Sequence, residues 1–579
     1  MQLGAFDSDY PTWHIGEDFD LRAFNSSLLA SIIPEGISGH VPTECRLGLQ
    51  TPASQTNPCS PNEKSLSMIN ELWFTKDCTP GCRTDDILYS VAPTRPITPA
   101  SSGNENSGLD DRYRDDLSLR LQPRWKEDPL PSTEFLNLAL QLFFTKFNPI
   151  FPLIHAATFR PSQQNSLLLL SICSIGSLFM GSNGATAQGS KIFERLNKVI
   201  LASWENIVTR KTMESVSLIQ AAIIGQTFGY LSGNPKHLIT VEAFSGTVVA
   251  WARRNGFFHP SHPILPDSNT PLRELDELWK SWAKSEEMRR TASGLYVHDS
   301  QLASMFHHDP LLRHNSIQIQ AAASTELFNA SSAASWAALV RSQNYAPQLL
   351  CQYQQMPKTS PPSPSQLSPQ VSRFSTYVLL HGIAAGIQES RQAGFIDAQD
   401  MCQHRDALIH WYHAYESGNC EKEPDPFCLM ILWHESFMSL LVDFDKLERA
   451  IGRDGPSGAT QVSFYTEQWA SSIHAKRVAI HASLIHQRFG NMRVASEPAI
   501  HVPRSMFLAA IAWYCYIKFG VEDSPAVATE EVLDCPELKI LNINPSQHLF
   551  EASGFTKGKP TAVEASPLLG RDIAKDSIQ

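Results

Sequence analysis

Between residue 131 and about residue 520, apolar side chains recur every three or four positions in one segment after another. This spacing places them on one face of an α-helix. The segment Leu167–Met180 is almost entirely apolar, which predicts a central, buried helix. Gly and Pro separate the segments, as in Gly181–Gly184, and no convincing alternation of apolar and polar residues indicates strands. The sequence therefore predicts an all-α fold.

The length and composition of the chain predict several parts. At 579 residues it is too long for one hydrophobic core. Its first 130 residues are rich in Ser, Pro, Thr, Asn and Asp, a composition typical of disorder. We predict a mostly disordered arm over 1–130, a helical domain over 131–345, a Pro/Ser linker over 346–370, a helical extension packed on that domain over 371–522, and a tail over 523–579.

The chain is acidic overall, with a formal net charge of −11. A protein that binds nucleic acid mainly through phosphate groups concentrates Lys and Arg on one surface. The densest basic pairs here are Arg253-Arg254 and Arg289-Arg290, and both lie among apolar residues. The composition therefore gives no support for direct DNA binding through the charge of this chain.

Cysteine usage and the first residues predict an intracellular, reducing environment. The 11 cysteines are scattered and odd in number, and the start of the chain lacks the basic and apolar regions of a secretory signal. The apolar run that comes closest to a membrane span, Leu167–Gly181, is too short, so we predict no membrane partner.

Candidate metal ligands occur only in pairs. A C2H2 zinc finger needs two histidines about twelve residues beyond its cysteines. Cys78 and Cys82 have no such histidines, because none occurs between His40 and His155. We therefore predict no metal site and no cofactor in this chain. The remaining histidines of interest are interpreted as packed side chains: His307 with His308, His410 with His413, and the single His381.

Motifs of nucleophilic catalysis and phosphate binding are missing as well. The chain contains no G-x-S-x-G, no G-x-x-x-x-G-K-[ST], and no G-x-G-x-x-G after a strand. The glycine-rich stretch Gly181–Thr186 has neither a lysine nor a preceding strand. We predict that the protein is not an enzyme, and a helical enzyme with a diverged site is the least favoured alternative.

One segment of the N-terminal arm combines acidic and apolar residues. Glu17–Ile33 reads EDFDLRAFNSSLLASII. Its carboxylates keep the apolar side chains in water until a partner groove accepts them as a short helix, which is typical of activation segments. A short amphipathic helix packed on the main domain is the alternative interpretation. The residues of this candidate segment are Asp18, Phe19, Asp20, Leu21 and Phe24.

An arginine interrupts the apolar face of the segment Leu278–Ala303. Residues spaced by three or four along this segment are mostly apolar, yet Arg289 lies among them. Glu286 precedes Arg289 by three residues and Arg290 by four, so the side chains can meet on a helix. Arg is favoured in partly buried pairs because its planar fork binds a carboxylate with two bonds.

This pattern favours a structural role for the arginine pair over a ligand-binding role. We predict that Arg289 or Arg290 holds its helix to a neighbour through a carboxylate, with Asp299 or a more distant acid as the second partner. Trp279 and Trp282, on the preceding turns, belong to the same candidate site. The alternative interpretation is an effector-anion site at the two arginines.

Three ordered blocks resemble the fungal-specific transcription factor domain, or middle homology region. They are PLPSTEFLNLALQLFFTKFNPIFPLIHAATFRP (Pro129–Pro161), LWKSWAKSEEMRRTASGLYVHDSQLASMFHHDPLLRHNSI (Leu278–Ile317) and ELFNASSAASWAAL (Glu326–Leu339). The similarity is strongest to the branch that carries C2H2 zinc fingers ahead of this domain. The resemblance implies an all-helical regulatory domain of nuclear proteins, over 131–345, that dimerises, binds effectors or restrains activation.

The sequence departs from the family pattern because it has no recognisable zinc module. The resemblance implies a transcription factor for RNA polymerase II genes, such as those of a metabolite gene cluster, that recruits the transcription machinery or co-regulators. The alternative is a co-regulator that reaches DNA only through a finger-containing partner. Zinc and direct DNA contacts are expected only if a finger module lies outside this sequence, and a homodimer is among the expected assemblies.

Overall fold

A computed structural model describes residues 131–543, apart from 163–164, 203–212, 261, 268–269, 314–318, 348, 351–371, 395, 419–424, 494–495 and 521–534. The described residues form sixteen α-helices and no strand, which confirms the predicted all-α fold. A single antiparallel bridge joins Gln320 to Leu349. The predicted arm with its segment Glu17–Ile33, most of the predicted linker and most of the predicted tail lie outside the described residues.

Eight helices make up the N-terminal half of the described chain. They are α1 (Thr133–Leu142), α2 (Ser166–Ser177), α3 (Asn183–Ala202), α4 (Met213–Leu231), α5 (Pro235–Arg254), α6 (Leu272–Phe306), α7 (Thr325–Phe328) and α8 (Ala333–Ser342).

Eight further helices make up the C-terminal half. They are α9 (Arg373–Gln392), α10 (Ala398–Gly418), α11 (Leu429–Leu441), α12 (Phe444–Ala450), α13 (Gly455–Ala470), α14 (Ile473–Gly490), α15 (Val502–Phe519) and α16 (Pro536–Ile540). Among the described helices, none combines the length and the hydropathy that traversing a lipid bilayer requires.

Helix α1 begins after a capping side chain at Ser132. The Oγ of Ser132 accepts a 3.3 Å hydrogen bond from the Phe135 amide, which satisfies one of the free donors of the first turn. A π-helical turn, Phe143–Phe147, extends the helix. Pro149 and Pro152 follow, and because proline lacks an amide hydrogen the chain turns away here.

Helix α2 lies at the centre of the N-terminal half, as its apolar composition predicts. It packs against α1, α3 and α4, and residues Leu168–Ser177 are all buried. Gly176 permits the close crossing with α1, because a Cβ there would lie 1.9 Å from the carbonyl oxygen of Ala139. Gly181, with a φ of +70°, ends the following 3-10 turn in the left-handed conformation.

Helix α6 is the longest of the described helices and contacts both halves of the structure. It extends over 35 residues to Phe306, and the next residue, His307, adopts a left-handed φ of 53°. It packs against α4, α5 and α8 in the N-terminal half and against α9 in the C-terminal half.

The largest hydrophobic core is shared by the two halves. Its buried members include Phe143 of the first π-turn, Tyr377 of α9 and Trp433 of α11. A second cluster lies among α11 to α16, and a third lies between the first half of α6 and helices α7 and α8. The boundary between a domain ending at 345 and an extension starting at 371 stays a prediction, and the largest core crosses it.

One short helix lies within the region predicted as a tail. Cys535 and Leu538, at and within α16, are buried in the second cluster. Glu537 accepts a 2.6 Å hydrogen bond from Nη2 of Arg477 in α14. This element has no recognisable sequence signal, because five residues are too few to show a helical period.

Candidate functional site at the buried arginine pair

The candidate site lies in the middle of α6, where three charged side chains are almost completely removed from water. Glu286 is 0% exposed, Arg289 4% and Arg290 2%. Spacings of three and four residues bring the side chains together on one face of the helix. Charges buried to this extent are stable only when they are paired and hydrogen-bonded.

The Glu286 carboxylate binds both arginines. Its Oε2 accepts a short hydrogen bond from Nη1 of Arg289, and its Oε1 accepts one of 2.8 Å from Nε of Arg290. Oε1 also accepts a 2.8 Å hydrogen bond from the Ala323 amide. One carboxylate therefore satisfies donors from two guanidinium groups and from a distant backbone segment.

Arg290 links α6 to three other parts of the fold. Its Nη2 donates to the Ala323 carbonyl at 2.8 Å, and its Nη1 donates to the Pro152 carbonyl at 3.4 Å. Its Cζ lies 3.7 Å from the centroid of the Phe328 ring in α7, a cation–π contact. Burial lowers the pKa of Arg290, and Glu286 opposes that shift. These contacts hold the loop after α1, the segment before α7, and α7 itself against one side chain.

Arg289 contacts neutral oxygen atoms on the other side of the pair. Its Nε donates to Oε1 of Gln320 at 3.3 Å, and its Nη1 donates to the Tyr345 hydroxyl at 3.1 Å. Burial acts to lower the pKa of Arg289, but Glu286 and Tyr345 outweigh it and the net shift is upward. Arg289 therefore connects α6 to Gln320, which precedes α7 in the chain, and to Tyr345, which follows α8.

A small pocket reaches Arg289. Phe257, Phe258, Met288 and Ile319 contribute to its lining. Its interior has room for about one water molecule. An organic effector anion would fit only if the lining side chains moved apart.

Asp299, predicted as the second partner with a more distant acid as the alternative, lies away from the arginine pair. Ten residues of α6 separate Asp299 from Arg289, a rise of about 15 Å along the helix axis. The Oδ2 of Asp299 instead accepts a 2.7 Å hydrogen bond from the Leu312 amide. Burial raises the pKa of Asp299, and backbone donors of the same loop oppose the shift. Asp299 thus stabilises the chain that leaves α6.

Trp279 and Trp282 pack around His155, a histidine not predicted from the sequence to belong to this site. The ring of His155 lies edge-on to both, at centroid distances of 5.6 Å and 6.2 Å. Burial, aided by the nearby Arg290, lowers the pKa of His155 to about 4. The His155 amide donates a 2.7 Å hydrogen bond to Oε1 of Glu287, whose pKa burial raises to about 7. No spacing rule could pair these two residues, because 132 positions separate them.

A second buried charge network lies at the end of α6. Glu448 of α12 accepts hydrogen bonds from Nε2 of His307 at 2.9 Å, Nη1 of Arg453 at 2.9 Å and Nη2 of Arg504 at 2.5 Å. Burial alone would raise the pKa of Glu448, but Arg504, His307 and Arg453 outweigh it and hold the pKa at about 2. His307, interpreted from sequence as one of a packed pair, therefore binds a carboxylate of the C-terminal half.

The histidines considered as metal ligands do not form a metal site within the part of the chain that the structure describes. There, no group of three or more His, Cys, Asp or Glu side chains is arranged to hold a metal ion. His381 is buried, and its ring centroid lies 4.6 Å from that of Tyr377. Cys78 and Cys82 lie outside the described residues.

The residues of this site lie within a segment that matches a known protein family. The model of the "Fungal specific transcription factor domain" matches residues 140–382, which contain Glu286, Arg289 and Arg290. Residues 140–382 of this chain are similar to that domain. The resemblance inferred from the sequence is thus confirmed. The domain includes α2 to α8 and the first half of α9.

Three relatives of this chain are informative. "Transcription factor" of Gibberella fujikuroi is 22% identical over 442 residues, covering 74% of this chain and 54% of the relative. "Nicotinate catabolism cluster-specific transcription factor" of Emericella nidulans is 25% identical over 190 residues, 33% of this chain and 22% of the relative. "Zinc finger protein klf1" of Schizosaccharomyces pombe is 23% identical over 250 residues, which cover 43% of this chain and 31% of the relative. The chain spans about half the length of the first relative and less of the other two. No solved structure matches the chain.

Proposed function

We propose that this protein regulates transcription of RNA polymerase II genes in a fungal nucleus, by assembly and recruitment rather than by catalysis. The observation that carries the proposal is the long alignment with the Gibberella fujikuroi relative. It covers 442 residues and so extends well beyond the family match at 140–382. The Emericella nidulans relative supports a narrower version, in which the target genes form a dedicated metabolic cluster.

In this proposal the two parts of the chain have different roles. The segment Glu17–Ile33 recruits the transcription machinery through its apolar side chains, while the helical body provides a stable platform and contacts co-regulators or a second copy. The body requires no cofactor. Zinc enters only through a finger module that this sequence does not contain.

A second candidate function is that of a co-regulator without its own DNA contacts. The net charge of −11 and the absence of a basic run in the sequence favour it. The co-regulator would reach promoters by binding a finger-containing partner. It would share the fold and the recruitment role of the first candidate.

Recruitment is tested by fusing the full chain to a foreign DNA-binding module upstream of a reporter gene. We expect reporter transcription to change relative to the module alone. The double substitution Leu21→Asp and Phe24→Asp should remove the change if Glu17–Ile33 is responsible, because the added charges oppose burial in a partner groove. A reporter that does not respond to the full-chain fusion would overturn the proposal.

DNA binding is tested separately by a gel-shift assay with a pool of random duplexes, with zinc and with a chelator. A shift that survives chelation indicates contacts made by the chain itself. Absence of a shift, together with a positive reporter result, selects the co-regulator.

The arginine pair has a structural role in this proposal, since its contacts join distant segments and the adjacent pocket has room for about one water molecule. Arg289→Met should lower the melting temperature, and Arg289→Ala should lower it more because a cavity is added. Unchanged melting of both variants would reject the structural role. An effector site would instead appear as a rise in melting temperature with small anions that both substitutions abolish.

A further inference from the structure

The solvent-facing side of α15 is unusually apolar. Surface helices normally present a polar face to water. The side chains at spacings of four, three, four and four on this face are Pro503, Phe507, Ala510, Tyr514 and Lys518, which we call the α15 stripe. Tyr514 is 40% exposed, Ala510 and Pro503 are exposed, and Phe507 is half-buried. Met506 and Trp513 are half-buried beside them.

Helix α15 also carries positive charge and no acidic residue. The protein has a formal net charge of −11, yet α15 contains Arg504, Lys518 and no acidic residue. Arg504 is bound by Glu448, so Lys518 supplies the positive charge at the far end of the stripe. Its Nζ donates to the Tyr514 hydroxyl at 2.9 Å and lies over the Tyr514 and Phe519 rings. An occupant of the stripe should therefore be apolar along most of its length and acidic at one end.

The segment Glu17–Ile33 has this pattern. In a helix, Leu21, Phe24, Leu28 and Ile32 would share one face at spacings of three, four and four. Glu17, Asp18 and Asp20 place three carboxylates at its N-terminal end. Its 17 residues would extend about 25 Å as a helix, and the stripe from Pro503 to Lys518 extends about 22 Å. An antiparallel arrangement would bring the acidic end to Lys518.

The arm can reach the stripe. Nζ of Lys146, at the end of the π-turn after α1, lies 3.3 Å from the Glu497 carboxylate, five residues before α15 begins. Helix α1 and the π-turn, about 20 Å long, separate the start of the described chain from this ion pair, and the five residues from Glu497 to Val502 span at most about 18 Å. A random coil with as many residues as 34–130 has a root-mean-square length of about 55 Å. This length spans the remaining distance.

We propose that Glu17–Ile33 binds as a helix along the α15 stripe of its own chain. The apolar side chains that would face the transcription machinery then face α15, so the two binding events exclude each other. The proposal concerns contact within the chain, and it stands or fails independently of the reporter and gel-shift results.

A photoreactive benzoylphenylalanine in place of Ala510 in the full chain tests this proposal. After irradiation, mass spectrometry of proteolytic peptides should identify a link between position 510 and a peptide from residues 17–33. The same group in place of Leu138, which is 47% exposed on α1, should not give that link. A mixture of isotopically light and heavy chains shows whether the link forms within one molecule or between two.

Two matched triple variants of the arm complete the test. Leu21→Asp, Phe24→Asp and Leu28→Asp place charges on the apolar face and should lower the yield of the link about tenfold or more. Ala23→Asp, Ser26→Asp and Ala30→Asp add the same charge on the opposite face and should retain the link. A link between a light chain and a heavy chain would show that a second copy covers the stripe. That result would overturn the proposal. A link to any other peptide, or equal yields from the two triple variants, also overturns it.

Discussion

Nε of Arg290 donates a 2.8 Å hydrogen bond to Oε1 of Glu286, one helical turn earlier in α6, where the two side chains are 2% and 0% exposed. The same carboxylate binds Arg289, so it compensates two buried positive charges at once. Removing the carboxylate should therefore cost more than removing an ordinary ion-pair partner, because two cations lose their partner in a site with little water.

Glu286→Gln is expected to lower the free energy of unfolding by about 3–5 kcal/mol, measured by urea denaturation. The matched control is Asp276→Asn on the same helix, where Asp276 pairs with Lys280 at 2.5 Å but both side chains are about half exposed. That control should change stability by less than about 0.5 kcal/mol. Equal effects of the two substitutions would contradict the structural role of Glu286.

Gly176→Ala should destabilise the protein, because the new Cβ would meet the backbone of Ala139 where α1 crosses α2. We expect a loss of about 1–3 kcal/mol or more, measured by thermal denaturation. Gly184→Ala in α3 is the control, since a Cβ there meets no atom within 4 Å. The control should be neutral or stabilise the fold by up to about 1 kcal/mol. A harmless Gly176→Ala would mean that the two helices do not approach so closely.

The Glu448 network predicts a loss of stability in acid. Its folded-state pKa of about 2 lies below the ordinary value of 4.5. Its contribution is therefore fully present above pH 4.5 and lost as the pH falls towards 2. The shift corresponds to about 3 kcal/mol. The stability difference between wild type and Glu448→Gln should shrink between about pH 6 and about pH 3. A difference that does not change with pH would reject this assignment.

Glu435 of α11 should produce the opposite dependence. It is 8% exposed, it accepts a short hydrogen bond from Oγ of Ser505, and burial raises its pKa to about 7. A carboxyl with a raised pKa favours folding while protonated, so its stabilising effect decreases as the pH rises from about 4.5 to about 7. Glu435→Gln should gain stability relative to wild type over that range, by about 3 kcal/mol at most. Denaturation curves at about pH 5 and about pH 8 measure the difference, and a gain of the opposite sign would refute the prediction.

Features set by neighbouring residues were predictable from the sequence. The helical periods, the Ser132 cap and the left-handed Gly181 follow from local rules of spacing and backbone conformation. The proximity of Glu286 to Arg289 and Arg290 follows from the same spacing rules, because all three lie on one helix. Spacing alone is therefore enough to predict that these three side chains meet.

Contacts between distant segments were not predictable in this way. His155 meets Glu287 across 132 residues, and Arg504 meets Glu448 across 56, because the packing of helices decides these pairs. Asp299 shows the limit within a single helix. It lies on the predicted element, but a helix rises about 1.5 Å per residue, so ten residues put it out of reach of Arg289. A shared helix indicates a common direction and does not by itself indicate contact.

Helix α9 begins at Arg373 and ends at Gln392, whereas the family match stops at residue 382. A shortened protein that ends at this family boundary would lose half of α9 and all the later helices that cover Tyr377 and its neighbours. The remaining piece would expose a large apolar surface and would be prone to aggregate. Fragments meant to isolate regulatory behaviour should therefore start before Ser132 and continue past Ile543, so that both termini fall outside the shared interior.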